Sequence, residues 1–252
     1  MLDFQPYLNR IQIDKPEAPS YAFLAKLQAQ HLLTTPFENL SIGQGERIVL
    51  AEDLLVNKLV QRQRGGFCYE LNGAFYWLLS RLGFSVTRIS ARVYSSRQNE
   101  FGPEFDHMAL IVQLDQPYLV DVGFGDSARQ PLALPAGEGA DVSGRYRILP
   151  VQADHGEYHL QKWEEGGWAS HFAFTTTAHE LADYGAMCDY HQSSPASHFT
   201  QHIVCTRATP CGRLTLSPDS LTITEGDNKE KKAVTSPAEY QQLLFTHFGV
   251  RL

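Results

Sequence analysis

The hydrophobic pattern of this 252-residue chain changes its period near residue 84. Before that point apolar side chains recur every three or four residues, which is typical of one face of an α-helix; examples are Leu71, Phe75, Leu78 and Leu82. After it they alternate with polar ones, which is typical of a half-buried strand; examples are Ile89, Ala91 and Val93. The change from helices to strands predicts an α+β fold with several domains.

Start and stop signals place the individual elements along the chain. Helices are expected over residues 21–33, 51–63 and 68–82, with a last one opening at Ser236-Pro-Ala-Glu239, a capping sequence. Strands are expected over 108–114, 118–122, 145–151, 158–163, 168–174, 203–207, 213–217 and 221–224. Residues 131–144 are rich in glycine, proline and alanine and are expected to form a surface loop. The predicted order is helices, then strands, then a mixed α/β end.

Composition excludes several classes of function. The formal net charge is −7, and the chain has no basic stripe of the kind that binds nucleic acids. Its one lysine cluster, Lys229, Lys231 and Lys232, is flanked by acidic residues and is expected to form a solvated turn. No window approaches the roughly 18 apolar residues that a membrane-spanning helix needs. The first ten residues include Asp3, Gln5 and Pro6 where a secretory segment would be apolar. Together with only four cysteines, too few for a disulfide scaffold, this predicts a cytoplasmic protein.

Cys68 is the strongest candidate for a nucleophile. It opens a predicted helix directly after Gly65, Gly66 and Phe67. Free backbone amides and the helix dipole at such a position favour the thiolate form of a cysteine. The glycines would also let a substrate approach the backbone closely. The alternative is a buried structural cysteine, as most free cysteines are.

His107 and Asp121 are candidates for a base and its orienting partner. His107 begins an apolar strand, and Asp121 interrupts another. A buried charge such as that of Asp121 needs a partner. If the partner is His107, the carboxylate would orient the imidazole as in a catalytic triad. The alternative is a salt bridge from Asp121 to an arginine. A tight hairpin over 115–117 would pair Asp121 with Ile111, which leaves His107 roughly 13 Å away along the strand.

The other motifs are weaker. His155-Gly-Glu-Tyr-His159 has two histidines but no HExxH order, and we expect no metal site. Phe124 lies between two glycines close to Asp121 and is a candidate to line a pocket; the alternative is an ordinary core phenylalanine. Arg64 and Glu38 are expected to form a structural ion pair.

Four motifs together resemble the arylamine N-acetyltransferase family. They are PFENL at 36–40, RGGFCYELNG at 64–73, LVDVGFG at 119–125 and SPASHF at 194–199, with the strand that begins at His107. The resemblance implies a Cys68–His107–Asp121 triad. It implies a helical bundle over 1–83, a β-barrel over 84–193 and an α/β lid over 194–252, around a core like that of cysteine proteases.

The same resemblance implies the substrates. Acetyl-coenzyme A would be the acyl donor, and arylamines, arylhydrazines or related amines the small-molecule acceptors. Phe124, with Phe37 and Val93, would line the acceptor site.

Other functions of the same residues stay open at this point. An amide synthase, a thiol hydrolase or a transglutaminase-like enzyme would use the same triad. A papain-like protease does not fit, because its cysteine signature is missing and His107 follows Cys68 by only 39 residues. A binding module with an inert Cys68 is a further possibility.

Overall fold

The first part of the molecule is helical. The computed structural model describes residues 3–152, 156–226 and 228–252. Its N-terminal helices are α1 (Gln5–Arg10), α2 (Tyr21–Thr34), α3 (Leu40–Gly43), α4 (Glu52–Val60) and α5 (Cys68–Arg81). Helix α2 begins where the Ser20 side chain accepts a hydrogen bond of 3.2 Å from the Phe23 amide, which satisfies one free donor of the first turn. The three longer helices confirm the predicted ones to within three residues.

Helix α5 is the centre of this helical region. Its predicted apolar face, Leu71, Phe75 and Leu78, is completely buried against α2 and α4. Burying such side chains stabilises the fold by about 1.5–3 kcal/mol each. The first residue of α5, Cys68, is thereby held on a rigid element.

The middle of the chain forms one strongly curved antiparallel sheet. Its strands are β2 (Ser85–Ser95), β3 (Glu100–Phe101), β4 (His107–Gln113), β5 (Pro117–Val120), β6 (Leu132–Ala133), β7 (Glu138–Asp141), β8 (Gly144–Gln152), β9 (Glu157–Glu164) and β10 (Gly167–His179). They follow the order β6-β5-β4-β2-β10-β9-β8-β7, and β3 pairs with β2. Strand β6 also contacts β7 and β8 at the opposite end, so the sheet is a nearly closed barrel.

A second sheet joins the two ends of the chain. Its order is β1 (Phe37–Glu38), β11 (Cys205–Thr209), β12 (Gly212–Ser217), β13 (Ser220–Glu225) and β14 (Asn228–Ala233). A 3₁₀ turn (Leu181–Tyr184) and the helices α6 (Gly185–Ser193) and α7 (His198–Gln201) precede it, and α8 (Pro237–Phe248) packs on it. The α+β class predicted from the sequence is confirmed.

Three local predictions need correction. Residues 131–144 contain the short strands β6 and β7, because β5 and β8 offer edges that they pair with. Lys229, Lys231 and Lys232, which we expected in a solvated turn, lie on the exposed strand β14, where charges are typical of a sheet edge. Asp121 lies just after β5 and not inside a strand.

Over the described ranges, every helix is too short or too polar to cross a membrane.

Candidate active site

Cys68 is positioned by close backbone packing around the glycines before it. A Cβ atom on Gly65 would lie 1.9 Å from the carbonyl oxygen of Pro36, so only glycine allows strand β1 to approach here. Phe37 then forms a parallel bridge with Gly66. The glycines therefore allow another segment of the chain to pack closely here. We had expected them to allow a substrate to approach the backbone.

A second close approach brings the loop after β5 onto Cys68. A Cβ atom on Gly123 would lie 2.9 Å from Cα of Cys68 and 2.7 Å from Nδ2 of Asn72. The absence of a side chain at this position lets the Asp121–Gly123 turn pack directly on the first turn of α5. Residues distant in sequence meet at this point.

His107 and Asp121 are hydrogen-bonded. Nε2 of His107 lies 2.8 Å from Oδ2 of Asp121, and both side chains are buried. An ionised carboxylate only accepts hydrogen bonds, so Nε2 carries the proton and Nδ1 is left as the proton acceptor of the ring. Asp121 is therefore paired with the histidine and not with an arginine.

The strand register that joins them differs from the predicted one. Tyr118 pairs with Val112 and Val120 with Leu110, which is two residues away from the hairpin that we expected. The backbone amide of Leu114 donates to the carbonyl of Gln116, so Leu114 belongs to the turn and the strand pairing begins at Gln113 and Pro117. A shift of two residues keeps every side chain on its face but moves Asp121 close to His107.

Asn72 organises this contact and was not singled out from the sequence. It lies one turn after Cys68 on α5 and is completely buried. Its Nδ2 donates to the Met108 carbonyl at 2.6 Å and to Asp121 Oδ1 at 2.9 Å, and its Oδ1 accepts from the Val122 amide at 3.0 Å. Its place four residues after Cys68 in the RGGFCYELNG segment was the available signal.

Cys68 and His107 line one cavity of about 530 Å³, within the usual range for small-molecule sites. All three predicted substrate-site residues, Phe37, Val93 and Phe124, also line it. Asp121 is buried behind His107. The structure thus brings together every site residue that the sequence predicted.

Phe124 is held by two imidazoles. Its ring meets His107 edge to face at 5.2 Å and stacks on His171 at 5.1 Å. An aromatic ring fixed beside the nucleophile offers a flat apolar surface to a planar substrate. Further lining residues are His198, which belongs to the SPASHF segment, and Asp106, Asp126, His191, Thr206 and Arg213, which the sequence left unmarked.

The electrostatic setting of Cys68 opposes ionisation of the resting thiol. Burial raises the pKa of the Cys68 thiol well above its ordinary value; the Met108 amide lowers this pKa, and the charges of Asp106 and Asp121 raise it. Burial therefore opposes the effect of the helix start, which favours the thiolate. Activation requires a base that removes the proton.

The described residues form no candidate metal site. Among the residues that the structure describes, no group of three histidine, cysteine or acidic side chains is arranged to hold an ion. His155 of the His155–His159 pair lies outside the described residues. The four cysteines are free thiols.

Comparison with known proteins identifies the family. The N-acetyltransferase family model matches residues 21–252. An arylamine N-acetyltransferase from Mycolicibacterium smegmatis is 32% identical over 259 residues, which cover 100% of this chain and 93% of the relative.

Solved structures agree with this match. An arylamine N-acetyltransferase from Bacillus cereus, described as having a Cys-His-Glu catalytic triad, superposes with a TM-score of 0.92 at 28% identity and covers 100% of both chains. The enzyme from Mycobacterium marinum in complex with CoA has a TM-score of 0.90 at 28% identity, over 98% of this chain and 93% of that one. The chain therefore belongs to the arylamine N-acetyltransferase family.

Proposed function

We propose that this enzyme transfers an acetyl group from acetyl-coenzyme A to an arylamine or arylhydrazine through a thioester on Cys68. The main support for this proposal is that Cys68 and His107 line one cavity, with the His107 ring fixed by Asp121 through the 2.8 Å hydrogen bond. Nucleophile, base and orienting carboxylate are the three parts of a triad.

In the first half-reaction His107 takes the proton of the Cys68 thiol. The sulfur then attacks the thioester carbonyl of the donor, backbone amides steady the oxyanion, and the bond to coenzyme A breaks. His107 returns the proton to the sulfur of coenzyme A, which leaves as the free thiol. The acetyl group remains on Sγ of Cys68.

In the second half-reaction the amine attacks the new thioester. An aromatic amine is neutral at pH 7, so its nitrogen lone pair is free. His107 accepts the proton from nitrogen, the C–S bond breaks, and the proton returns to Cys68. Because Asp121 keeps a negative charge behind the ring, it stabilises the imidazolium formed in both steps.

Two further assignments belong to this proposal. Donor chemistry on a free thiol suits a reducing compartment, so we place the enzyme in the cytoplasm. We also propose that the chain consists of three domains, over residues 1–83, 84–193 and 194–252. The first supplies Cys68, and the second supplies His107 and Asp121.

Mass spectrometry tests the intermediate. Donor alone should add about 42 Da, one acetyl in exchange for one proton, to the peptide that holds Cys68. The adduct should survive in the absence of acceptor, be removed by hydroxylamine, and disappear on adding an arylamine. Cys188, Cys205 and Cys211 should stay unmodified and serve as internal controls.

The alternatives give other results. Rapid loss of the adduct in water alone would favour a hydrolase. Absence of any adduct, with both substrates bound before a product leaves, would replace the thioester route with direct transfer. Acylation of Cys68 by a larger acyl thioester but not by acetyl-coenzyme A, followed by amide formation when an amine attacks, would indicate an amide synthase.

A further inference from the structure

A second cavity adjoins the cavity that holds Cys68. Its volume is about 420 Å³, against about 530 Å³ for the first. The two share four lining residues, Val93, Asp106, His191 and His198. The two cavities are therefore adjacent, and these four side chains form the wall that they have in common.

An incompletely bonded histidine stands in this wall. Nε2 of His191 lies 3.1 Å from Oδ1 of Asp106, yet it makes no hydrogen bond of acceptable angle. His191 is only 7% exposed, and its Nδ1 lies 3.4 Å from Oγ of Ser197. Buried polar atoms without a hydrogen-bond partner are rare, and this one faces the carboxylate of Asp106.

The position of this pair is fixed relative to Cys68. The ring of His191 packs edge to face on Phe199 at 5.2 Å and lies 6.1 Å from the ring of Tyr69. Tyr69 follows Cys68 directly in α5, and its hydroxyl donates to the Phe105 carbonyl at 2.6 Å. The pair is therefore held at a defined place beside the nucleophile, with the Asp106 carboxylate as its partly exposed member.

The remaining wall of the second cavity is neutral. It includes Tyr94, Ser95, Gln98, Met187, Tyr190 and Ala196. In the described part of the chain, no lysine or arginine lines it, and Asp106 supplies its one carboxylate. A ligand carboxylate would find no fixed cation there and would be repelled by Asp106. A neutral or cationic group that donates hydrogen bonds matches this wall.

We propose that the second cavity is an acceptor subsite, which receives the far substituent of an extended arylamine whose amino group lies at Cys68. The substituent is neutral or cationic and donates a hydrogen bond to the carboxylate of Asp106, which His191 holds in place. This inference rests on the proposed acetyl transfer and specifies the class of acceptor.

A matched acceptor series tests the subsite. It contains aniline and three 4-aminobenzamides with tails of equal length that end in an ammonium, a neutral or a carboxylate group. The measured quantity is kcat/KM with acetyl-coenzyme A. The ammonium and neutral tails should exceed the carboxylate tail by about tenfold or more, as expected when a site leaves a charge unpaired.

Two variants and a control locate the effect. Ala196→Trp places a bulky ring at the lining of the second cavity and should lower the ratio of kcat/KM for the long neutral acceptor to that for aniline about tenfold. Asp106→Asn should reduce the preference for the ammonium tail over the carboxylate tail by a similar factor. Ala140→Trp, an exposed position on β7 that lines neither cavity, should leave both ratios unchanged.

Several outcomes would overturn the subsite. An equal loss for aniline and the long acceptors in Ala196→Trp would do so, as would a wild-type enzyme indifferent to the tail's charge. If circular dichroism shows that Ala196→Trp is unfolded, the Asp106→Asn charge series alone decides. Failure of donor to acetylate Cys68 would instead overturn the proposed function, independently of the subsite.

Discussion

The carboxylate of Asp121 lies 2.8 Å from Nε2 of His107 and is itself held by two further donors. Its other oxygen accepts from Nδ2 of Asn72 at 2.9 Å and from the Gly123 amide at 2.8 Å. The position of the Asp121 carboxylate and the orientation of the His107 ring are thus both fixed before a substrate binds. Each donor belongs to a different element, so the arrangement depends on how α5, β4 and the loop after β5 pack together.

Asp121→Asn should fold but lose most turnover. An amide at this position cannot keep the ring in the required tautomer or stabilise the imidazolium, and we expect kcat to fall about 10³–10⁴-fold. Thermal unfolding followed by circular dichroism checks the fold, and steady-state kinetics checks kcat. Asp141→Asn is the matched control, because Asp141 also accepts from backbone amides, those of Arg129 and Ser143, away from the cavity. Near wild-type kcat in folded Asp121→Asn would remove Asp121 from the triad.

Phe124→Ala should change acceptor selectivity more than the acetylation of the enzyme by its donor. The ring lines the cavity and stacks on His171, so its removal takes away an aromatic surface for the acceptor. The rate of acceptor-dependent deacetylation should spread by about tenfold across an acceptor panel. Phe174→Ala removes a buried core ring outside the cavity and should lower stability without this spread. A uniform loss across all acceptors in Phe124→Ala would show a packing role.

Arg64→Met should act on folding and not on chemistry. Arg64 and Glu38 form the predicted ion pair through two hydrogen bonds of 2.9 Å and 3.1 Å, and both side chains are buried. Breaking a buried pair leaves an uncompensated charge, which should lower the free energy of unfolding by about 3–5 kcal/mol. Urea unfolding measures this change, and activity per folded molecule should stay within about twofold. The exposed pair of Lys26 and Glu17 is the control, since Lys26→Met should change stability by less than about 1 kcal/mol.

Stability should fall in acid partly through His31. This histidine is completely buried, with Nε2 2.9 Å from the Tyr7 hydroxyl, and burial, followed by the charge of Arg10, lowers its pKa to about 3. Between about pH 6.5 and pH 3 the unfolded chain binds a proton that the folded protein excludes. The contribution of neutral His31 is therefore present above pH 6.5 and is lost as pH falls, by about 1.4 kcal/mol per pH unit inside this window.

His31→Gln should flatten this pH dependence. Chemical denaturation of wild type and variant at several values between pH 4 and pH 7 measures the difference in slope. His202→Gln, at an exposed position, is the control and should keep the wild-type slope. Parallel curves for wild type and His31→Gln would show that another group carries the acid sensitivity.

The sequence by itself determined the local structure and the identity of the reacting groups. Helix α5 was predictable because Leu71, Phe75 and Leu78 repeat with the helical period, and Cys68 was predictable as its first residue because two glycines precede it. The charge of Asp121 among apolar neighbours predicted a buried partner for the same local reason. Such features depend on residues close together in the chain.

Tertiary structure decided the contacts between distant segments. The pairing of β4 with β5 is two residues away from the simplest hairpin, and only this register brings Asp121 to His107. Asn72 gained its role because Gly123 leaves no side chain between the loop and α5. His191 became part of the site because α6 packs beside Tyr69. Register and packing depend on the free energy of the whole core, which no local pattern in the sequence contains.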